Sequence, residues 1–150
     1  MKKILFVEDD DNKIEEILNY FEAVKNEFAP FIIEVKRSYQ SGLNEILDGD
    51  FDLILLDMSM HNFEKKLNEP GGEFMQFAGE DILKEMIWND VLTKTIIVTQ
   101  YDIIGNRTLK ELKEIWQERF GEVYVGTVFY SVNETNWKDE LHLFLKQTLL

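Results

Sequence analysis

The stretch FDLILLDMSM, residues 51–60, decides how the chain is read. Leu53, Ile54, Leu55 and Leu56 form an apolar run short enough for one strand and too continuous for a sheet wetted on one face. The run ends at once in an acid, Asp57. A lone acid at a strand end more often opens a loop or caps a helix. The other reading is that a buried strand holds a reactive carboxylate in a fixed place. The rest of the chain decides between them.

Working outward, Lys3 to Val7 is a second run suited to a buried strand. Ile14, Ile17, Leu18, Phe21, Val24 and Phe28 then recur at threes and fours, as on an amphipathic helix. Pro30 ends that helix or starts the next strand, and Phe31 to Val35 reads as that strand. Leu43, Ile46 and Leu47 mark a short helix stopped near Gly49. Beyond Asp57 comes a polar, glycine-containing stretch from about residue 58 to 78. A helix follows on Ile82, Leu83, Met86 and Ile87, and then a strand over Thr95–Thr99. Thr108 and Glu111 form a capping-box signal ahead of Leu109, Leu112, Ile115 and Trp116. Val123–Tyr130 holds a fifth strand, and Trp137, Leu141, Phe144, Leu145 and Thr148 stripe a last helix.

Five repeats of strand then helix, with continuous apolar strands, predict an α/β fold. It is a doubly wound, five-stranded parallel sheet with helices on both faces. The chain has 150 residues, which fits one domain over 1–150 with an extended loop at about 58–78. At that length folding buries roughly 70% of the unfolded surface, enough for a core without staples. The 45% hydrophobic content argues against disorder.

Composition removes several function classes. There is no cysteine and only two histidines, His61 and His142, which excludes thiol chemistry, disulfides and multi-histidine metal sites. A net charge of −13 disfavours nucleic acid and anionic membrane as partners. The opening MKKILFVEDD is too short in apolar residues for a signal peptide, and no run approaches a membrane span. The expected location is cytoplasmic.

In sheets of this kind, sites form outside the carboxyl ends of the strands. Strand one ends in Glu8, Asp9, Asp10 and Asp11; Asp11 or Asn12 is expected to cap the helix that follows. Strand three ends in Asp57, strand four in Thr99, and strand five near Tyr130 and Ser131. If strands one and three are neighbours, Glu8, Asp9 and Asp57 converge. Packed carboxylates raise a pKa or bind a cation. An all-oxygen set without His or Cys suits a hard ion such as Mg2+. The chemistry that fits is phosphoryl transfer to a carboxylate, with Asp57 attacking phosphorus and Thr99 donating its hydroxyl to a phosphoryl oxygen.

KILFVEDDDNKIEEIL (3–18), FDLILLDMSM (51–60), GEDILKEM (79–86) and TIIVTQYD (95–102) together resemble the CheY-like receiver domain of two-component response regulators. The resemblance covers essentially the whole chain and implies strand order 2-1-3-4-5. It implies that Asp57 is the phosphoacceptor and Thr99 the switch hydroxyl. It implies that Asp9, Asp57 and the Ser59 backbone carbonyl are Mg2+ ligands, with Glu8 acting largely through water. The implied phosphodonor is a sensor histidine kinase or phosphotransfer protein. The expected output is a contact with a downstream protein target, with no output domain expected after the fifth helix and no more enzymatic activity expected than self-phosphorylation and self-dephosphorylation.

The chain departs from the family in three places. The family carries a lysine at the end of strand five, but VFYSVNETNW (128–137) holds no Lys or Arg. Ser131 is the expected occupant, and an uncharged serine there forgoes a contact worth about 1.5–3 kcal/mol. The family's short loop after the phosphoacceptor becomes HNFEKKLNEPGGEFMQFAG (61–79), a lid or a partner-binding segment. Its Lys65 and Lys66 read as solvated lysines, with the alternative that they supply the missing charge. Finally, Val128 fills the usual place of the switch aromatic, with Phe129 and Tyr130 nearby. Two other functions stay open: a phosphorylation-independent interaction module on the same fold, and a Mg2+-dependent phosphohydrolase. The second is weakened because Ser59, not an acid, lies two residues after Asp57.

Overall fold

A computed structural model describes residues 1–64 and 72–150 of the chain. Its centre is a parallel sheet of β1 (Lys2–Val7), β2 (Phe31–Lys36), β3 (Leu53–Leu56), β4 (Thr95–Thr99) and β5 (Tyr124–Phe129). The spatial order is β2-β1-β3-β4-β5, the expected 2-1-3-4-5. The helices are α1 (Asp11–Val24), α2 (Tyr39–Asp48), α3 (Ala78–Trp88), α4 (Leu109–Phe120) and α5 (Asn136–Leu149).

The continuous apolar strands work because successive side chains point to opposite faces. Leu5, Val7, Ile54, Leu56 and Ile97 join one core with the inner residues of α2, α3 and α4. Ile4, Phe6, Leu53, Leu55, Ile96 and Val98 join the other, with α1 and α5. All four residues of β3 are buried, each contributing about 1.5–3 kcal/mol. β3 is therefore anchored on both faces, and so is the residue it delivers at its tip. The register Val7↔Leu56 sets the ends of β1 and β3 side by side, and the Asp57 amide donates to the Val7 carbonyl at 3.0 Å.

Several local expectations are corrected. The cap of α1 is Asp10, whose Oδ1 accepts from the Lys13 amide at 3.1 Å, and not Asp11 or Asn12. Glu8 Oε2 accepts from the amides of Asp9 and Asp10, and that turn starts the helix earlier. The helix stops at Val24 and passes into a 3-10 turn over Lys25–Glu27, short of Phe28. Thr108 does cap α4, accepting from the Glu111 amide at 3.2 Å.

The segment after Asp57 is more ordered at its base than a polar loop. Met58, Ser59 and Met60 are buried. Met60–His61 pairs antiparallel with Phe74–Met75, a two-residue ribbon too short to leave a periodic signal. A second ribbon, Ile103–Ile104 with Arg107–Thr108, turns at Gly105, whose φ of 66° favours glycine. Gly79 lies in the first turn of α3 where the chain passes β3's tip. A Cβ there would stand 2.6 Å from the Asp57 carbonyl oxygen, so only glycine lets α3 pack this close.

Candidate functional site

The acids from β1 and β3 meet. Glu8, Asp9 and Asp57 each offer a carboxylate oxygen, and these lie within 4.8 Å of one another. Glu8 and Asp57 are almost wholly buried at 0% and 1% exposure, while the Asp9 side chain keeps 16%. Asp9 is thus the rim of the cluster that faces solvent. Its Oδ2 accepts from the His61 amide at 3.2 Å and lies 3.0 Å from His61 Nδ1. The ribbon after Asp57 therefore leans on the acidic rim, and Phe74 packs edge-on against the His61 ring.

The cluster also contains a residue that sequence reasoning missed. Lys13, on the first turn of α1, is 1% exposed. Its Nζ lies 2.5 Å from Glu8 Oε1 and 3.3 Å from Asp57 Oδ1. It also donates to the Val98 carbonyl and to Gln100 Oε1, both at 2.9 Å. A positive charge therefore does stand beside Asp57, and the reading of a site without a lysine cation is corrected: the cation comes from α1. The signal was present, because Lys13 lies four residues before Ile17 and seven before Tyr20, on the buried stripe of the helix. A lysine there must find anions or cost several kcal/mol.

Ser131 is half-buried, and among the described residues its hydroxyl makes no hydrogen bond to the acids. Thr99 is fully buried at the end of β4; its Oγ1 accepts from the Tyr101 amide at 3.2 Å, and its carbonyl accepts from the Tyr130 amide. Ser59 is buried, its hydroxyl donating to the Gln76 carbonyl at 2.7 Å. Val128 is buried against α1 and α5, while Phe129 packs on the opposite core. Lys65 and Lys66 lie outside the described residues.

The electrostatics follow from two buried acids sharing one ammonium. Burial pushes the Glu8 carboxyl well above the usual range; Lys13 opposes this and Asp57 adds to it. Burial raises Asp57 as well, against the pull of Lys13 and with a further push from Asp9. Burial alone would lower Lys13, but the Asp57 and Glu8 carboxylates outweigh it and hold the ammonium above the ordinary lysine value. Among the described residues, Asp57 Oδ2 is buried without a donor, as is Glu8 Oε1, whose 2.5 Å approach to Lys13 is an ion contact and not an aligned hydrogen bond. A hard cation fits this donor set: every candidate ligand is an oxygen, and among the described residues Asp57 Oδ2 lacks a partner.

No family model matches the chain. The Detocs response regulatory protein DtcB of Enterobacter cloacae is 37% identical over 98 residues, 61% of this chain and 64% of DtcB, so the match spans less than two thirds of that protein. The uncharacterized protein y4jR of Sinorhizobium fredii is 30% identical over 91% of both chains. The response regulator TrrA of Thermotoga maritima, solved in complex with Mg2+ and BeF, superposes with a TM-score of 0.59 at 24% identity, over 99% of this chain and all of that one. Other structures that share the fold are receiver domains too. The chain belongs to one family with y4jR and is built as a response-regulator receiver domain.

Proposed function

We propose that this receiver acts as a phosphoacceptor in phosphorelay signalling, taking a phosphoryl group on Asp57 from a histidine kinase or phosphotransfer protein. One observation carries the reading. The Asp57 carboxylate sits at the tip of a strand buried on both faces, with one oxygen held by Lys13 and the other, Oδ2, inside an acidic cluster and without a donor among the described residues. A fixed, unshared oxygen is what in-line attack on phosphorus needs.

The roles follow from position. Asp57 is the nucleophile. Asp9 and Asp57 would hold Mg2+, with Glu8 acting through water and the Ser59 carbonyl completing the protein's share. Bound there, Mg2+ would neutralise phosphoryl oxygens and lower the repulsion between attacking and transferred groups. Thr99 ends the neighbouring strand, its Oγ1 accepting from the Tyr101 amide, and its hydroxyl would donate to a phosphoryl oxygen. The phosphodonor enters from the Asp9 side, past His61, because Glu8 and Asp57 themselves are covered. TrrA, solved with Mg2+ and BeF on the same fold, supports the expectation of a divalent cation.

The test is to add acetyl phosphate, or beryllium fluoride, with Mg2+ and follow Asp57 by intact mass and tryptophan fluorescence. Trp137 packs on Tyr130, which packs on Lys13, so a change at the acids has a short route to a fluorophore. Labelling that disappears in Asp57→Asn is the expected result; no adduct with any donor would end the reading.

A second reading draws on Lys13 itself. The ammonium already compensates part of the cluster's charge, so a phosphorylation-independent interaction module has a physical basis on this fold. Partner binding that Asp57→Asn leaves unchanged would favour it.

A further inference from the structure

Lys13 is an expensive residue to bury. Removing an ammonium from water costs several kcal/mol even when it is paired, and here the buried Glu8 and Asp57 carboxylates offset that cost. The ammonium donates in three directions, to Asp57 Oδ1, the Val98 carbonyl and Gln100 Oε1. Its place is therefore fixed, between Glu8 Oε1 at 2.5 Å and the acid at the tip of β3 at 3.3 Å. In the stretch where the family carries its lysine, residues 128–137, there is no Lys or Arg.

We infer that Lys13 is the phosphoryl-binding cation of this chain, performing from the first helix the task that the family assigns to strand five. The inference rests on the phosphoacceptor reading above. In the transfer step an Asp57 carboxylate oxygen forms a bond to phosphorus. The bond from phosphorus to the donor's leaving group breaks, and the leaving group keeps the electron pair: a histidine nitrogen, or acetate from acetyl phosphate. Lys13 keeps its proton throughout. Its work is electrostatic: it holds the carboxylate before the reaction and takes the added negative charge after it.

The same contacts give Lys13 a way to report occupancy. Val98 and Gln100 flank Thr99 at the end of β4. An ammonium drawn toward a phosphoryl group loosens its hold on both, so the β4 end and the ribbon beyond it feel the state of Asp57.

Lys13→Met tests this with two readouts that separate charge from structure. With Mg2+ alone, the variant should bind at least as tightly as wild type, because a cation has left the acidic cluster. With beryllium fluoride or acetyl phosphate, it should lose adduct formation by about tenfold to a hundredfold, the range of a charge-assisted contact. Equal labelling of wild type and Lys13→Met overturns the inference and leaves the phosphoacceptor reading standing. A wild type that takes no label overturns both. If Lys13→Met alone does not fold, Glu8→Gln/Lys13→Met compared with Glu8→Gln carries the test. At least tenfold less labelling in the double variant supports the assignment, and equal labelling overturns it.

Discussion

Replacing Asp57 by asparagine should make the protein more stable, not less, when no divalent cation is present. The Asp57 carboxylate gains from Lys13 at 3.3 Å, about 5 kcal/mol at an effective dielectric of about 20. It faces the oxygens of Glu8 and Asp9 at no more than 4.8 Å, about 3–4 kcal/mol of repulsion from each when ionised. With both neighbours ionised, repulsion exceeds attraction by about 2 kcal/mol, and burial at 1% exposure adds to the penalty. Asparagine keeps an acceptor for Lys13 and puts an NH2 in the place of Oδ2, which has no donor among the described residues. The expected gain is about 2 kcal/mol once Glu8 is ionised, or about 4–8 °C in Tm for a chain of this size.

The gain has a pH signature. The folded-state pKa values of Glu8 and Asp57 are raised. Their contribution is therefore fully present below the ordinary carboxylate values and is lost as pH rises through the raised ones. The advantage of Asp57→Asn should grow as pH rises through the raised Glu8 and Asp57 values and vanish toward about pH 4. Mg2+ at a hundred times its Kd should reverse the order, since it stabilises wild type by about 2.7 kcal/mol. Urea denaturation with and without EDTA measures all three effects. An Asp57→Asn protein that is less stable without Mg2+ at every pH, or whose gain ignores pH, would refute the electrostatic account.

Three further outcomes test the frame around the acids. Gly79→Ala puts a Cβ against the Asp57 carbonyl and Met58 Cα; it should cost about 1–3 kcal/mol in denaturation and reduce acetyl-phosphate labelling together with stability. His61→Ala removes the ring from Asp9 and opens the rim; it should speed Asp57 labelling several-fold in single-turnover kinetics while the unfolding midpoint moves little. Asp10→Ala should cost about 1 kcal/mol by loss of the α1 cap, and Asp11→Ala much less, a contrast that chemical denaturation resolves.

Much of this molecule was legible because its information is local. The apolar runs at Lys3–Val7, Leu53–Leu56 and Thr95–Thr99 are long enough for strands and too continuous for a half-wet sheet, which leaves the parallel α/β arrangement. Given that sheet, acids after β1 and β3 must lie at its carboxyl edge, and the structure brings Glu8, Asp9 and Asp57 together there. The ribbons at Met60–His61 and Ile103–Ile104 were not legible, because two residues carry no period.

Lys13 marks the boundary between the two kinds of knowledge. The sequence determined that an acidic cluster would form and that strand five would bring no lysine to it. It also placed a lysine on the buried stripe of the first helix, but a helix pattern says which side faces inward and not what waits there. Only tertiary structure decided that, by packing α1 over the ends of β3 and β4 so that one ammonium meets Glu8, Asp57, Val98 and Gln100. The physical reason is that a buried charge takes its partners from wherever the chain folds them. Asp57 and Gln100 lie far from Lys13 in sequence, and no local pattern encodes their meeting.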